Sequence, residues 1–286
     1  MSDSTSCEPS RAPRRMAILG ASRPGALLCL ATLLACAPLR AAEQGDLAQQ
    51  LANPLAALIS VPIQVNYDED YGPGDDGTIT RTNVQPVVPF SVGEHWNLIS
   101  RTILPIIDQR DLPAPGDEAF GLGDTVQSLF FSPKAPTSSG WILGGGPVLL
   151  APTATDDTLG GEKWGAGLTG VALKQTGHWT YGGLFNHIES FAGEGNRADI
   201  SATLLNPFLT YITDSKTTIG LTTEATHDWE TEKWSVPVNL TVSQLLRLGR
   251  QPLQIGGGVR YWAASPDAGP EGWGLRLQLT LLFPKG

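Results

Sequence analysis

Cysteine is nearly absent: Cys7, Cys29 and Cys36 are the only three among 286 residues, and all of them precede residue 42. A chain trimmed of that segment has no thiol, which excludes a disulfide framework and cysteine-held metals. Long apolar runs are missing too. No stretch of about eighteen uninterrupted apolar residues follows residue 42, so no segment reads as a membrane-spanning helix. Positive charge is scarce, with 19 Lys and Arg against 28 Asp and Glu and a formal net charge of −9. Residues 1–42 hold five arginines and two acidic residues, so their removal takes the charge to −12 and makes nucleic acid an implausible partner. The four histidines, His95, His178, His187 and His227, are scattered and join in no metal-ligand spacing. No metal and no cofactor is expected.

Residues 1–42 read as a secretory signal: Arg11, Arg14, Arg15 and Arg23 precede an apolar run from Ala26 to Ala37, and small residues close it at Ala41 and Ala42. Met16 is an alternative start that leaves a signal of ordinary length. Leu33, Leu34, Ala35 and Cys36 resemble a lipid-attachment box, with a leucine where a small residue is usual. Residues 43–54 read as a short periplasmic lead, too small to fill a large lumen, and 55–286 as the structural domain.

What fills that domain is alternation. Leu275, Leu277, Leu279, Leu281 and Phe283 stand at two-residue spacing, with Gly274, Arg276, Gln278 and Thr280 between them. This is a strand with one apolar and one polar face. Comparable segments recur at about 59–67, 78–90, 95–107, 122–132, 140–151, 163–175, 178–188, 200–213, 217–229, 233–246, 252–262 and 272–283. They number twelve, each about as long as a tilted strand needs to cross a bilayer. The links alternate between long or acidic ones (68–77, 108–121, 152–162, 189–199, 230–232 and 263–271) and mostly tighter ones, as expected when outer loops alternate with periplasmic turns. The predicted fold is all-β, an antiparallel transmembrane barrel in the cell outer membrane.

The eight tryptophans fall near predicted strand ends, Trp96, Trp141 and Trp179 at one rim and Trp164, Trp229, Trp234, Trp262 and Trp273 at the other, as two aromatic girdles would require. Ile219, Leu221, Ala225, Trp234, Val236, Val238, Leu240 and Val242 are assigned to lipid. Arg101, Glu224, Asn239, Arg260, Arg276 and Gln278 are assigned to the lumen, because an arginine on the lipid face at mid-membrane costs about 2–4 kcal/mol. Seven prolines inside strands, Pro62, Pro86, Pro89, Pro105, Pro147, Pro207 and Pro237, each remove a ladder donor and are expected at bulges, near the rims or facing a wet lumen.

Three motifs have bland readings. Gly165, Gly167 and Gly170 fit dinucleotide-binding spacing, but a strand runs through them and no parallel βαβ unit surrounds them. Asp68, Asp70, Asp75 and Asp76 suggest calcium, yet a hand-type loop would need Glu where Ile79 stands. His187, Ser190 and Asn186 lie close enough to raise a barrel-wall lipid hydrolase, which a single strand end cannot readily assemble.

The segments Leu51-Ala-Asn-Pro54, Gln85-Pro-Val-Val-Pro-Phe90, Gly121-Leu-Gly-Asp124, Pro152-Thr-Ala-Thr155, Gly160-Gly-Glu-Lys-Trp-Gly165 and Gly272-Trp-Gly-Leu-Arg276 resemble the bacterial transporter-like outer-membrane barrels related to the MetA phenol-degradation family, some of them labelled neuromedin U. The resemblance covers about 51–285 and implies uptake of aromatic or other hydrophobic compounds. It carries no catalytic or binding residue across. The closing Leu281-Leu-Phe-Pro-Lys285 resembles a signal for the barrel-assembly machinery.

The reading is a non-enzymatic, passive channel or transporter for small solutes, with outer-membrane lipids as its surroundings. The alternative is a structural or surface-binding barrel with a closed lumen, and a third reading is the lipid hydrolase.

Overall fold

The computed structural model describes residues 47–72 and 74–284; the signal, the first residues of the lead, Lys285 and Gly286 lie outside the described residues. Twelve strands follow one another: β1 Ile59–Tyr71; β2 in two pieces, Gly77–Val84 and Val87–Val92; β3 Trp96–Arg110; β4 in two pieces, Glu118–Leu122 and Thr125–Pro133; β5 Trp141–Ala151; β6 Lys163–Thr176. Then come β7 Trp179–Gly193; β8 Ser201–Ile212; β9 in two pieces, Thr217–Thr223 and Ala225–Asp228; β10 Lys233–Leu248; β11 Gln251–Ala264; β12 Trp273–Phe283.

Each strand pairs antiparallel with the next, and β12 pairs with β1 from Ile59 opposite Phe283 to Tyr67 opposite Leu275, so the sheet closes without a free edge. Closure leaves no strand edge open, the condition for a sheet in hydrocarbon.

The breaks follow the prolines. Gln85 and Pro86 separate the two pieces of β2. Around Glu224, β9 is interrupted where β8 presents Asn206 and Pro207 and β10 presents Val236 and Pro237, with a register shift at the latter. Two neighbours that each lack an N–H cannot complete the ladder there.

Burial is inverted relative to a soluble fold. Leu168, Leu221, Leu240, Val242, Ile255, Leu275 and Leu277 are exposed, while Asn66, Asp68, Ser128, Thr169, Asn239, Ser243, Arg260 and Arg276 are buried. An outer wall of exposed aliphatics around a polar interior is stable only with hydrocarbon outside. Ile219 and Trp234 are exposed as assigned. Ala225 lies opposite the exposed Leu205, but its neighbours cover it. Replacing Leu277, 61% exposed, by Arg is expected to cost about 2–4 kcal/mol of stability. Arg at the next position, Gln278, faces the wet interior and costs far less. Urea unfolding of the two variants from vesicles measures the difference.

Two glycines of the dinucleotide-like stretch, Gly165 and Gly167, serve strand packing. A Cβ on Gly167 would collide with the carbonyl oxygen of His187 on the adjacent β7. Gly167→Ala is therefore expected to destabilise the barrel by about 1–3 kcal/mol in the same unfolding assay.

Candidate solute path through the barrel

The lumen begins, at the short-turn rim, with the lead. Residues 47–51 form a single helical turn and the chain then bends back toward β1. Leu47, Ala48 and Leu58 bury against Ile212, Leu245 and Leu282, residues near the ends of β8, β10 and β12. Leu55 packs in a second cluster with Ile99, Phe130, Val171, Leu173 and Leu184. Gly144 makes room for it, since a Cβ there would meet the Leu55 methyls at 2.9 Å. Two polar ties hold the segment: Gln49 Nε2 donates to Gly177 O at 2.8 Å, and Gln175 Nε2 donates to Gln49 O at 2.8 Å. A lead expected to be too small to fill the lumen therefore occupies its mouth. Its apolar residues are too few and too irregular to show as a strand or a long helix, and only the ring of apolar strand ends gives them a partner.

Above the lead lies a chamber of about 320 Å³. The lead supplies an apolar floor with Leu51, Ala52 and Leu58, and the strands supply Gln64, Thr210, Thr241, Ser243, Gln254 and Gln278. Arg101 also lines it, donating to Gln85 Oε1 at 2.6 Å.

A web of charge lies beside the chamber. Arg276 grips Glu224 with both terminal nitrogens, at 3.0 and 2.7 Å, and its Nε donates to Asn66 Oδ1 at 2.8 Å. Arg260 pairs with Asp68 at 3.3 Å and reaches Glu224 at 4.0 Å. Trp262 completes the web, its indole N–H donating to Asp68 at 2.9 Å while the Arg260 guanidinium sits 4.5 Å from the ring centroid. Asn239, fully buried between Thr222 and Arg260, donates to Thr222 O at 3.4 Å. Arg81, opposite Asn66 and Ile107, shares the inward face.

The lumen candidates Arg101, Glu224, Asn239, Arg260, Arg276 and Gln278 thus all sit on inner-wall positions. Two assignments need correction. Trp262 belongs to the lumen rather than to a girdle, because it alternates in phase with Arg260 on β11. Asp68 belongs to β1 and the web rather than to an acidic loop, because β1 runs to Tyr71 and the link shrinks accordingly. The other girdle residues stand on the outer wall: Trp96, Trp164, Trp179, Trp229, Trp234 and Trp273 are exposed, and Trp141 packs edge-on to the exposed Tyr181. The role of Asp68 is legible in hindsight from its two-residue phase with Asn66; its partner is not.

At the long-loop rim, the segment 152–162 between β5 and β6 folds inward. Leu159 buries against Ile79 and Ile107 of the inner wall. Asp124 latches this loop, accepting from Ala154 N at 3.2 Å and Gly161 N at 2.6 Å, and Gln109 Nε2 reaches Thr158 Oγ1 at 3.0 Å. Arg197 adds bonds to the carbonyls of Asp157 and Gly160. The stretches Gly121–Asp124, Pro152–Thr155 and Gly160–Gly165 thus meet in one latch.

Loop carboxylates stiffen this rim. Two bonds from Thr158, by its hydroxyl and its backbone N–H, hold the Asp156 carboxyl below its ordinary range, and the bond and charge of Lys163, followed by a bond from Ser190, do the same for Asp199. A depressed carboxylate lends stability above the unfolded value of about 3.9, and loses it as the pH falls through the lower folded value. Acidification below about pH 4 is thus expected to raise hydrogen exchange in 152–162 and 194–200, while the strands stay protected.

The proposed hydrolase residues do not converge. His187 Nδ1 meets Thr203 Oγ1 at 2.8 Å on the outer wall, opposite the exposed Leu168, whereas Ser190, an odd number of residues on, faces the other way and bonds to Asp199 at 3.3 Å. Among the described residues no group of His, Cys, Asp and Glu has metal-holding geometry.

Comparison with solved structures places the fold. The chain is similar to the COG4313 outer membrane channel from Pseudomonas putida F1, with a TM-score of 0.60 and 17% identity over 79% of this chain and 96% of that one. The chain is an outer-membrane β-barrel. Weaker likenesses to this barrel are the β domain of the Bordetella autotransporter BrkA (TM-score 0.45, 12% identity, 79% of this chain and 100% of that one) and OprB of Pseudomonas putida (0.35, 10%, 84% and 97%). No family model and no curated protein sequence matches the barrel.

Proposed function

We propose that this barrel is a passive channel for small solutes, whose lumen is narrowed from one side by the lead and from the other by the latched loop 152–162. The observation that carries this reading is the chamber above the lead, whose wall mixes hydroxyls, amides and Arg101 with apolar residues such as Val87, Leu184 and Phe208. A barrel serving only as a scaffold needs no such space, and a small barrel can fill its interior with side chains. The described state is a narrowed one, and passage requires at least one of the two segments to yield. Short turns of outer-membrane barrels face the periplasm, so the lead is the periplasmic closure and the loop the external one.

The resemblance to the barrels related to the MetA family supports uptake as the role, with aromatic or hydrophobic compounds as the class it implies. The closed-lumen, surface-binding reading draws on the same two insertions, since both ends are occupied. Planar-bilayer recording decides between them. Conductance steps from the folded protein support the channel, whereas a folded barrel silent at every voltage and pH supports the structural reading. Swelling of liposomes loaded with sugars, amino acids, nucleosides and aromatic acids then reads selectivity.

A further inference from the structure

From the chamber and the charges beside it, we infer that the lumen binds a small hydroxylated monocarboxylate, the carboxylate on Arg101 and the hydroxyls along the Thr, Ser and Gln wall. The inference rests on the reading of the lumen as a solute path and assigns a class of solute different from the aromatic or hydrophobic one that the resemblance implies.

Charge comes first. Arg81, Arg101, Arg260 and Arg276 share the inner wall with Asp68 and Glu224. Both carboxylates are already engaged, Asp68 by Arg260 and Trp262, and Glu224 by Arg276 and Arg260, with Arg101 also within its electrostatic reach. The interior therefore carries an excess of positive charge behind loops that are acidic. Arg101 is the arginine of this set that reaches the chamber, and among the described residues no carboxylate lines that chamber. Its bond to Gln85 uses one of the five N–H donors of a guanidinium. A planar guanidinium fork in a cavity wall matches a carboxylate in two parallel bonds.

The wall sets the rest of the solute. Gln64, Thr210, Thr241, Ser243, Gln254 and Thr280 come from β1, β8, β10, β11 and β12, and Thr222 of β9 completes a run of six neighbouring strands around the closure. Hydroxyls and amides donate and accept, so a solute with several hydroxyls finds partners on this side, while Val87, Leu184 and Phe208 give its carbon skeleton apolar contact; a bare hydrocarbon body gains only the latter. An ammonium-bearing solute meets Arg101 with like charge. The volume of about 320 Å³ lies at the small end of ligand cavities and suits a single ring or a short chain.

Titration calorimetry of the folded mature chain in detergent tests the inference without needing permeation. Gluconate, glucose and benzoate serve as probes. Gluconate is expected to bind more tightly than glucose, which lacks the carboxylate, and than benzoate, which lacks the hydroxyls. Arg101→Gln is expected to weaken gluconate by about tenfold or more, with Arg101→Lys between the two. In the event that Arg101→Gln does not fold, Thr241→Val with Ser243→Ala supplies the second variant, which should weaken gluconate and leave benzoate unchanged. Absence of gluconate binding, an unchanged affinity in the folding-competent variants, or benzoate binding as tightly as gluconate would overturn the proposal. Binding without conductance would instead overturn the channel reading alone.

Discussion

Expelling the lead from the barrel mouth is expected to raise single-channel conductance several-fold. The double substitution Leu47→Asp and Leu55→Asp places a carboxylate in each of the two apolar clusters that hold the segment, where both leucines are at most 5% exposed. Burying an unpaired carboxylate among aliphatic residues costs more than the few contacts of so short a segment return, so the lead leaves and the strands remain. The chain stays full length, and export and barrel assembly are not asked to tolerate a deletion. The control is Gln49→Ala, which removes one tie at the Gly177 turn and should give brief, flickering openings. Planar-bilayer recording measures both, and an expelled lead with unaltered conductance would show that the constriction lies elsewhere, with loop 152–162 as the remaining candidate.

The second large effect centres on Glu224. Its carboxylate holds the fork of Arg276 and stands 4.0 Å from Arg260, so its loss leaves two arginines on the inner wall facing each other. Glu224→Gln is expected to destabilise the barrel by about 2–5 kcal/mol, the usual consequence of removing one partner from a buried charge pair. The same substitution removes a negative charge from the path, so surviving channels should favour anions more strongly. Urea unfolding from vesicles reads the first effect and reversal potentials in a salt gradient read the second. Glu224→Asp should recover part of the stability, since the charge remains while the reach shortens.

The legibility of this protein in its sequence follows from the distance over which each feature is encoded. Strand positions are local: the two-residue phase of Leu275 to Phe283 or of Trp234 to Val242 needs only neighbours in the chain, and every expected segment appears as one of the twelve strands. The inner-wall positions of Arg260, Arg276 and Asn239 follow from the same phase. Trp262 departs from the girdle because phase outweighs nearness to a strand end; its indole has a polar tip, and a buried carboxylate within reach is a better partner than an interface. Asp68 departs from the expected loop for a related reason: acidic residues near a strand end read as loop, while its phase with Asn66 keeps it on the strand. The place of the lead is not legible locally, because it depends on side chains contributed by Ile212, Leu245 and Leu282, far from it in the chain.

By itself, the sequence determined a twelve-stranded closed sheet with apolar residues outside and polar ones within, because a strand's two faces are written in alternate residues and hydrocarbon accepts only one of them. Only the tertiary structure decided that Glu224 meets Arg276, that Trp262 turns inward to Asp68, and that residues 47–58 and 152–162 occupy the two ends of the lumen. Those contacts join residues far apart in the chain, and they exist only once closure of β12 on β1 fixes the register of every strand between.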